Sequence, residues 1–227
     1  MKTSRFAFFD VDETLISLKS MFSFRDFYLY KIRGQQAGEL ARKQAEDHMR
    51  AQVEQGVPRA DINRSFWQGF KGYAQSDVRA AVLQWHSKVA QVQGYYIESA
   101  VQALREHQSN GVEPVFVSGS CSDILMPLAY DLNVNHVLAN RLEVEDGIYT
   151  GFILSPQTIG EGKRIAVEQF LRAAQVDAED CYGYGDHISD LPFLDLVGFP
   201  RVVAGNHDLI AIAHQRGWPV IDHVAVQ

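Results

Sequence analysis

From Gly94 onward the chain alternates between two textures, and this alternation constrains its fold more than any other feature. Apolar residues recur at helical spacing in "IESAVQALREHQSNG", "SDILMPLAYDL", "GKRIAVEQFLRAA" and "SDLPFLDLV". Between them lie short runs that read as strands, in "VEPVFVSG", "NHVLAN", "DCYGYGD" and "FPRVVAGN". "RLEVEDGIYTGFI" reads as a hairpin turning at Asp146-Gly147. Strands separated by helices imply a doubly wound parallel sheet, so the expected class is α/β.

A further strand, Arg5 to Phe9, opens the chain and is followed by a long stretch with no strand signal. Met21, Phe22, Phe24, Phe27, Tyr28 and Tyr30 supply more aromatic surface than one helix face requires. Ile62, Phe66, Trp67 and Phe70, and then Val78, Val82, Trp85 and Val89, recur at helical spacing. Residues 17–93 are therefore expected to form an all-helical insertion, jointed at Gly34 and "QGVPRAD". Residues 1–16 and 94–227 would make the Rossmann-like core.

Composition narrows the functional classes. A formal net charge of -7 with scattered Lys and Arg argues against nucleic acid as a partner. No run of apolar residues is long enough to span a membrane. "MKTSRFAFFDVDE" lacks the pattern of a signal peptide, and Cys121 and Cys181 suggest no disulfide framework, so a cytoplasmic location is expected. Nothing in the chain specifies an oligomeric state.

The polar residues at strand ends carry the chemistry. In open α/β sheets, ligands bind beyond the carboxyl ends of the strands. Asp10 and Asp12 follow the first strand, Ser118 and Gly119 the second, and Asp186 and Asp190 lie just past "CYGYG". Asp10, Asp186 and Asp190 offer hard oxygen donors suited to Mg²⁺ rather than Zn²⁺, and no His or Cys pair at ligand spacing competes with them. Ser118, with the backbone amides of Gly119 and Ser120 at an expected helix start, would cradle an anion, and Lys163 would balance its remaining charge. A phosphate held there would face Asp10 as nucleophile, with Asp12 as acid and base and Thr14 orienting Asp12.

These residues resemble the haloacid dehalogenase superfamily of phosphatases. "DVDET" is similar to the family's DxDx[TV] loop, "VSGS" to its second-strand serine motif, and "GDHISD" to its acidic loop, with Lys163 between them in the family's order. The resemblance implies Asp10 as nucleophile and metal ligand, Asp12 as acid/base with its carbonyl on Mg²⁺, and Asp186 and Asp190 as further metal residues. The helical insertion resembles the cap of the phosphoserine-phosphatase-like subfamily. That subfamily carries a Glu for the substrate's ammonium where Lys19 stands here, which argues against phosphoserine.

The expected activity is hydrolysis of a small phosphorylated metabolite. Transfer of the same phosphoryl group to another alcohol, or phosphate binding without catalysis, are the alternatives. Lys19 and Arg25 are candidates for a second acidic group on the substrate, and His187 for a place near the phosphate or leaving group. Most of the aromatic cluster is expected to form the cap's own core, leaving one or two rings for the substrate.

Overall fold

The computed structural model describes residues 5–222. Strands β1 (Arg5–Phe9), β2 (Val112–Cys121), β3 (His136–Glu145), β4 (Ile148–Leu154), β5 (Tyr182–Gly185), β6 (Phe199–Val203) and β7 (Val220–Ile221) form one seven-stranded sheet. Its order is β4-β3-β2-β1-β5-β6-β7, and only the β3/β4 pair is antiparallel.

The "FAFF" run explains why β1 sits at the centre. Successive side chains on a strand point to opposite faces, so an unbroken apolar run suits a strand covered on both sides. Ala7 and Phe9 enter the layer formed with α4 (Glu98–Ser109) and α5 (Ser122–Asp131). Phe6 and Phe8 enter the opposite layer, against α6 (Glu161–Ala174), α7 (Leu191–Leu194) and α8 (His207–Arg216). "SDLPFLDLV" is shorter as a helix than its pattern suggests: a 3-10 turn at Ile188–Asp190 leads into the single turn of α7. Helix α8 and the two-residue β7 add to the expected elements. Asn206 caps α8 by accepting the Leu209 amide at 3.1 Å.

Between β1 and α4 lie α1 (Ser20–Glu54), α2 (Arg59–Gln68) and α3 (Gln75–Val89). Helix α1 breaks at Gly34, whose φ of 73° and ψ of 177° are non-helical. Its second arm folds back closely enough that a Cβ on Gly38 would lie 2.9 Å from the Tyr30 Cα. Phe24, Tyr28, Trp67, Phe70, Val82 and Trp85 bury one another and pack on Ile124 of α5 and on Leu142 and Tyr149 of the sheet. Backbone bonds seal the junction, from the Gly72 amide to the Tyr149 carbonyl (2.9 Å) and from the Tyr149 amide to the Tyr73 carbonyl (3.0 Å). Among the described residues, no helix is long and apolar enough to cross a membrane.

Candidate active site

Strand register assembles the site. β1 pairs with β2 and β5 so that Phe9 lies beside both Phe116 and Tyr184. Asp10, Ser118 and Asp186, one or two residues further on, therefore come together at one edge of the sheet, Asp10 and Asp186 just past their strands and Ser118 still within β2. That edge lies where the strand order reverses about β1, the place where such sheets bind ligands.

Asp10, Asp186 and Asp190 are buried, and each offers a carboxylate oxygen within 4.8 Å of the other two. The Lys163 Nζ lies 2.6 Å from Asp10 Oδ1 and 2.6 Å from Asp190 Oδ1. Two glycines permit this packing. A Cβ on Gly162 would sit 1.7 Å from the Gln157 carbonyl oxygen, and one on Gly185 would sit 2.7 Å from the Asp190 Cβ. Burial, and then the charges of Asp10 and Asp190, push the Asp186 carboxyl up to about 8. Burial also raises Asp10, against the pull of Lys163. Lys163 is raised on balance: burial works against its charge, but Asp10 and Asp190 outweigh it. Three anionic oxygens held together out of water repel one another, and a hard divalent cation relieves that repulsion. The donor set fits Mg²⁺.

Asp12 stands apart from this cluster. Burial pushes its carboxyl up to about 7, against the hydroxyl and amide of Ser20, and its Oδ1 is buried without a hydrogen-bond partner. Thr14 does not orient Asp12, as the sequence suggested; it donates to Asp186 Oδ1 at 2.9 Å. The reason is the tight turn after β1. Glu13 adopts a left-handed φ of 64°, and the Thr14 and Leu15 amides bond back to the Val11 carbonyl, which swings Thr14 under the loop.

The loop expected to cradle an anion is also built differently from the expectation. β2 runs through Cys121, α5 begins only at Ser122, and the sheet register shifts between Ser118 and Cys121. The cradle is thus a strand bulge rather than a helix start, and the Ser120 amide is taken by Ser118 Oγ at 3.1 Å. The Gly119 carbonyl is held by two side-chain amides, Asn140 Nδ2 at 2.7 Å and Asn63 Nδ2 at 3.0 Å. Asn63 Oδ1 accepts in turn from Asn140 (3.0 Å) and Gln157 (2.9 Å). One buried asparagine of α2 therefore ties the inserted helices to the loop beside Ser118.

A cavity of about 340 Å³ opens over Asp10, lined on its outer side by Met21, Phe22, Met49, Ile62 and Phe66. Lys19 reaches it, but is 3.1 Å from Glu13. His187 also lines it, accepting the Ser189 amide and lying 2.9 Å from the guanidinium of Arg59. Burial, and then the Arg59 charge, lower the His187 pKa. Arg25 is a correction: it does not line this cavity. It pairs with Asp26 at 2.6 Å, lies over the rings of Phe22 and Phe66, and faces a neighbouring space. Its place on α1 turns it away from the strand ends.

Sequence reasoning missed Arg59 and Asn63. The signal was present: Arg59, Ile62, Asn63 and Phe66 follow the spacing of one helix face. Two polar residues inside an apolar stripe mark a face turned toward a site.

Fold and site together define a doubly wound α/β protein that sets a carboxylate cluster, a buried lysine and a serine loop around one cavity. Residues 7–195 match the haloacid dehalogenase-like hydrolase family. A probable phosphatase of Mycobacterium tuberculosis is 38% identical over 122 residues, 54% of this chain and 42% of that protein, so this chain spans less than half of its length. A Bordetella pertussis protein of unknown function superposes with a TM-score of 0.87 at 27% identity, covering 98% of this chain and 100% of that one. A phospho-aspartyl intermediate analogue of phosphoserine phosphatase shares the fold, with a TM-score of 0.67 at 17% identity, covering 98% of this chain and 95% of that one. The chain belongs to the haloacid dehalogenase-like hydrolase family.

Proposed function

We propose that this protein is a Mg²⁺-dependent phosphatase that hydrolyses small phosphate monoesters through an aspartyl-phosphate. The observation that carries this reading is the position of Asp10, buried within the carboxylate cluster and 2.6 Å from Lys163, at the floor of the cavity. Residues 17–93 would serve as the cap and the remainder as the catalytic core. Relatives named as phosphatases support the reading.

Asp10, Asp186 and Asp190, with the Asp12 carbonyl, would hold the ion, which supplies positive charge beside the phosphate. Lys163 and Ser118 bind the phosphate oxygens, and the Lys163 charge beside Asp10 works against the burial that would protonate it. An Asp10 oxygen bonds to phosphorus as the bond to the leaving oxygen breaks, and Asp12 passes its proton to that oxygen. A carboxyl raised to about 7 still carries this proton near neutrality. Asp12, now ionised, then takes a proton from water as the water attacks phosphorus, and Asp10 is released. Alignment and charge neutralisation supply most of the rate, because phosphoryl transfer leaves little covalent work for the protein.

The test is turnover of p-nitrophenyl phosphate by the purified chain with Mg²⁺. Asp10→Asn should abolish it, and EDTA should abolish it reversibly. Full activity in Asp10→Asn would reject the assignment. Adding alcohols as acceptors, and looking for new phosphate esters, separates hydrolysis from transfer.

A further inference from the structure

A second cavity of about 290 Å³ lies between the two arms of α1 and the helix α2. It shares Met49, Ile62 and Phe66 with the cavity over Asp10, so the two spaces adjoin across those side chains. Ala41 and Ala45, one helical turn apart, leave room on one wall, and Tyr28, Phe70 and Tyr73 face it from others. The partition is therefore apolar and flexible at Met49, and the far space is broad enough for a chain or ring.

The charge of the walls is one-sided. The protein carries 28 acidic against 21 basic residues, yet no Asp or Glu lines the second cavity. Arg25 and Arg33 do. Arg25 is neutralised by Asp26, whereas Arg33 makes no ion pair among the described residues. In the first cavity, Glu13 is the one acidic wall residue outside Asp10, Asp12 and Asp186, and it is paired with Lys19. Neither space keeps a carboxylate for an ammonium group. Arg33 stands exposed at the rim of the second cavity, where Gln44, His48, Gln52 and Ser65 also contribute polar groups, so its charge favours a neutral or anionic group there over an ammonium.

Resting on the phosphatase reading above, we propose that the second cavity is an extension of the leaving-group site. The substrate class is then a phosphate monoester of an elongated, mostly apolar alcohol, without an ammonium group and with an acidic far end directed to Arg33.

The experiment compares kcat/KM of the purified chain with Mg²⁺ on p-nitrophenyl phosphate, n-alkyl phosphates of increasing length, and ω-carboxyalkyl and ω-aminoalkyl phosphates of matched length, with phosphoserine alongside. Burial of each added methylene should raise kcat/KM about three- to fourfold until the far wall is met. The ω-carboxy ester should exceed the ω-amino ester by about threefold to fivefold, and more at low ionic strength. Ala45→Trp, which fills the second cavity, should flatten the chain-length series, read as a ratio to the aryl phosphate in the same preparation. Arg33→Glu, on an exposed site, should reverse the preference between carboxy and amino ends. A flat series in the wild type, or an ω-amino ester or phosphoserine as the best substrate, overturns the proposal while leaving the phosphatase reading intact. No turnover of any ester, the aryl phosphate included, rejects the phosphatase reading and this proposal with it.

Discussion

The Thr14 hydroxyl donates to Asp186 Oδ1 across 2.9 Å, joining the loop after β1 to the loop after β5. Both residues are buried, and this bond is one of the few influences that lower the Asp186 pKa. Thr14→Val keeps the shape but removes the donor. It should weaken Mg²⁺ binding about 10- to 100-fold, as loss of a hydrogen-bond partner to a metal ligand does. Thr14→Ser should restore most of it. Unchanged Mg²⁺ affinity in Thr14→Val, measured by titration of activity or of thermal midpoint, would show the bond to be incidental.

Asp12 has a different signature from Asp10. An aryl leaving group needs little protonation, so Asp12→Asn should still form the phospho-enzyme from p-nitrophenyl phosphate but hydrolyse it about 10²- to 10⁴-fold more slowly. Stopped-flow mixing should then show one rapid burst of nitrophenol followed by near silence. A proportionate slowing of burst and steady state would remove Asp12 from the second step.

The buried carboxyls predict a pH effect on the metal-free protein. A carboxyl raised in the fold keeps a proton that the unfolded chain gives up at about 3.8. Its stabilising contribution is complete below that pH and is lost as pH rises through the folded value, about 8 for Asp186. Asp186→Asn carries no such proton. Without metal, its thermal midpoint should gain on the wild type steadily from about pH 5.5 to about pH 8, and excess Mg²⁺ should shrink the gap. A gap that narrows with rising pH in EDTA would contradict the assigned direction.

Asn63 should separate KM from kcat. Asn63→Ala removes one of the two amides on the Gly119 carbonyl and leaves Asn140 in place. The expected stability cost is about 1–3 kcal/mol, the penalty of an unmade buried hydrogen bond. KM for the phosphate ester should rise more than kcat falls, because the loop beside Ser118 loses its tie to α2. An effect confined to stability would reduce Asn63 to a packing residue.

Much of this arrangement was legible in the chain because its signals are local. "FAFF" followed by Asp10, and "YGYG" followed by Asp186, each state a buried strand and the polar residue at its end. What escaped were partners chosen by three-dimensional packing. The left-handed turn at Glu13 sends Thr14 to a residue far along the chain, and no spacing rule foretells that. Arg25 and Lys19 looked alike as cations near the first loop. The direction of α1 sends Arg25 into a separate cavity while Lys19, at its start, stays with Glu13. The bulge at Ser118 to Cys121 replaced a helix start because β2 continues to pair with β3 as far as Asn140.

The most direct test of the account is to find where the phosphoryl group rests during turnover. The chain is mixed with Mg²⁺ and excess substrate, quenched in acid within the first turnover, digested, and its peptides are mapped by mass spectrometry. A phosphoryl group on Asp10, absent from Asp10→Asn, is the predicted result. Steady turnover with no phosphorylated carboxylate at any quench time, or with the label on another residue, would contradict it.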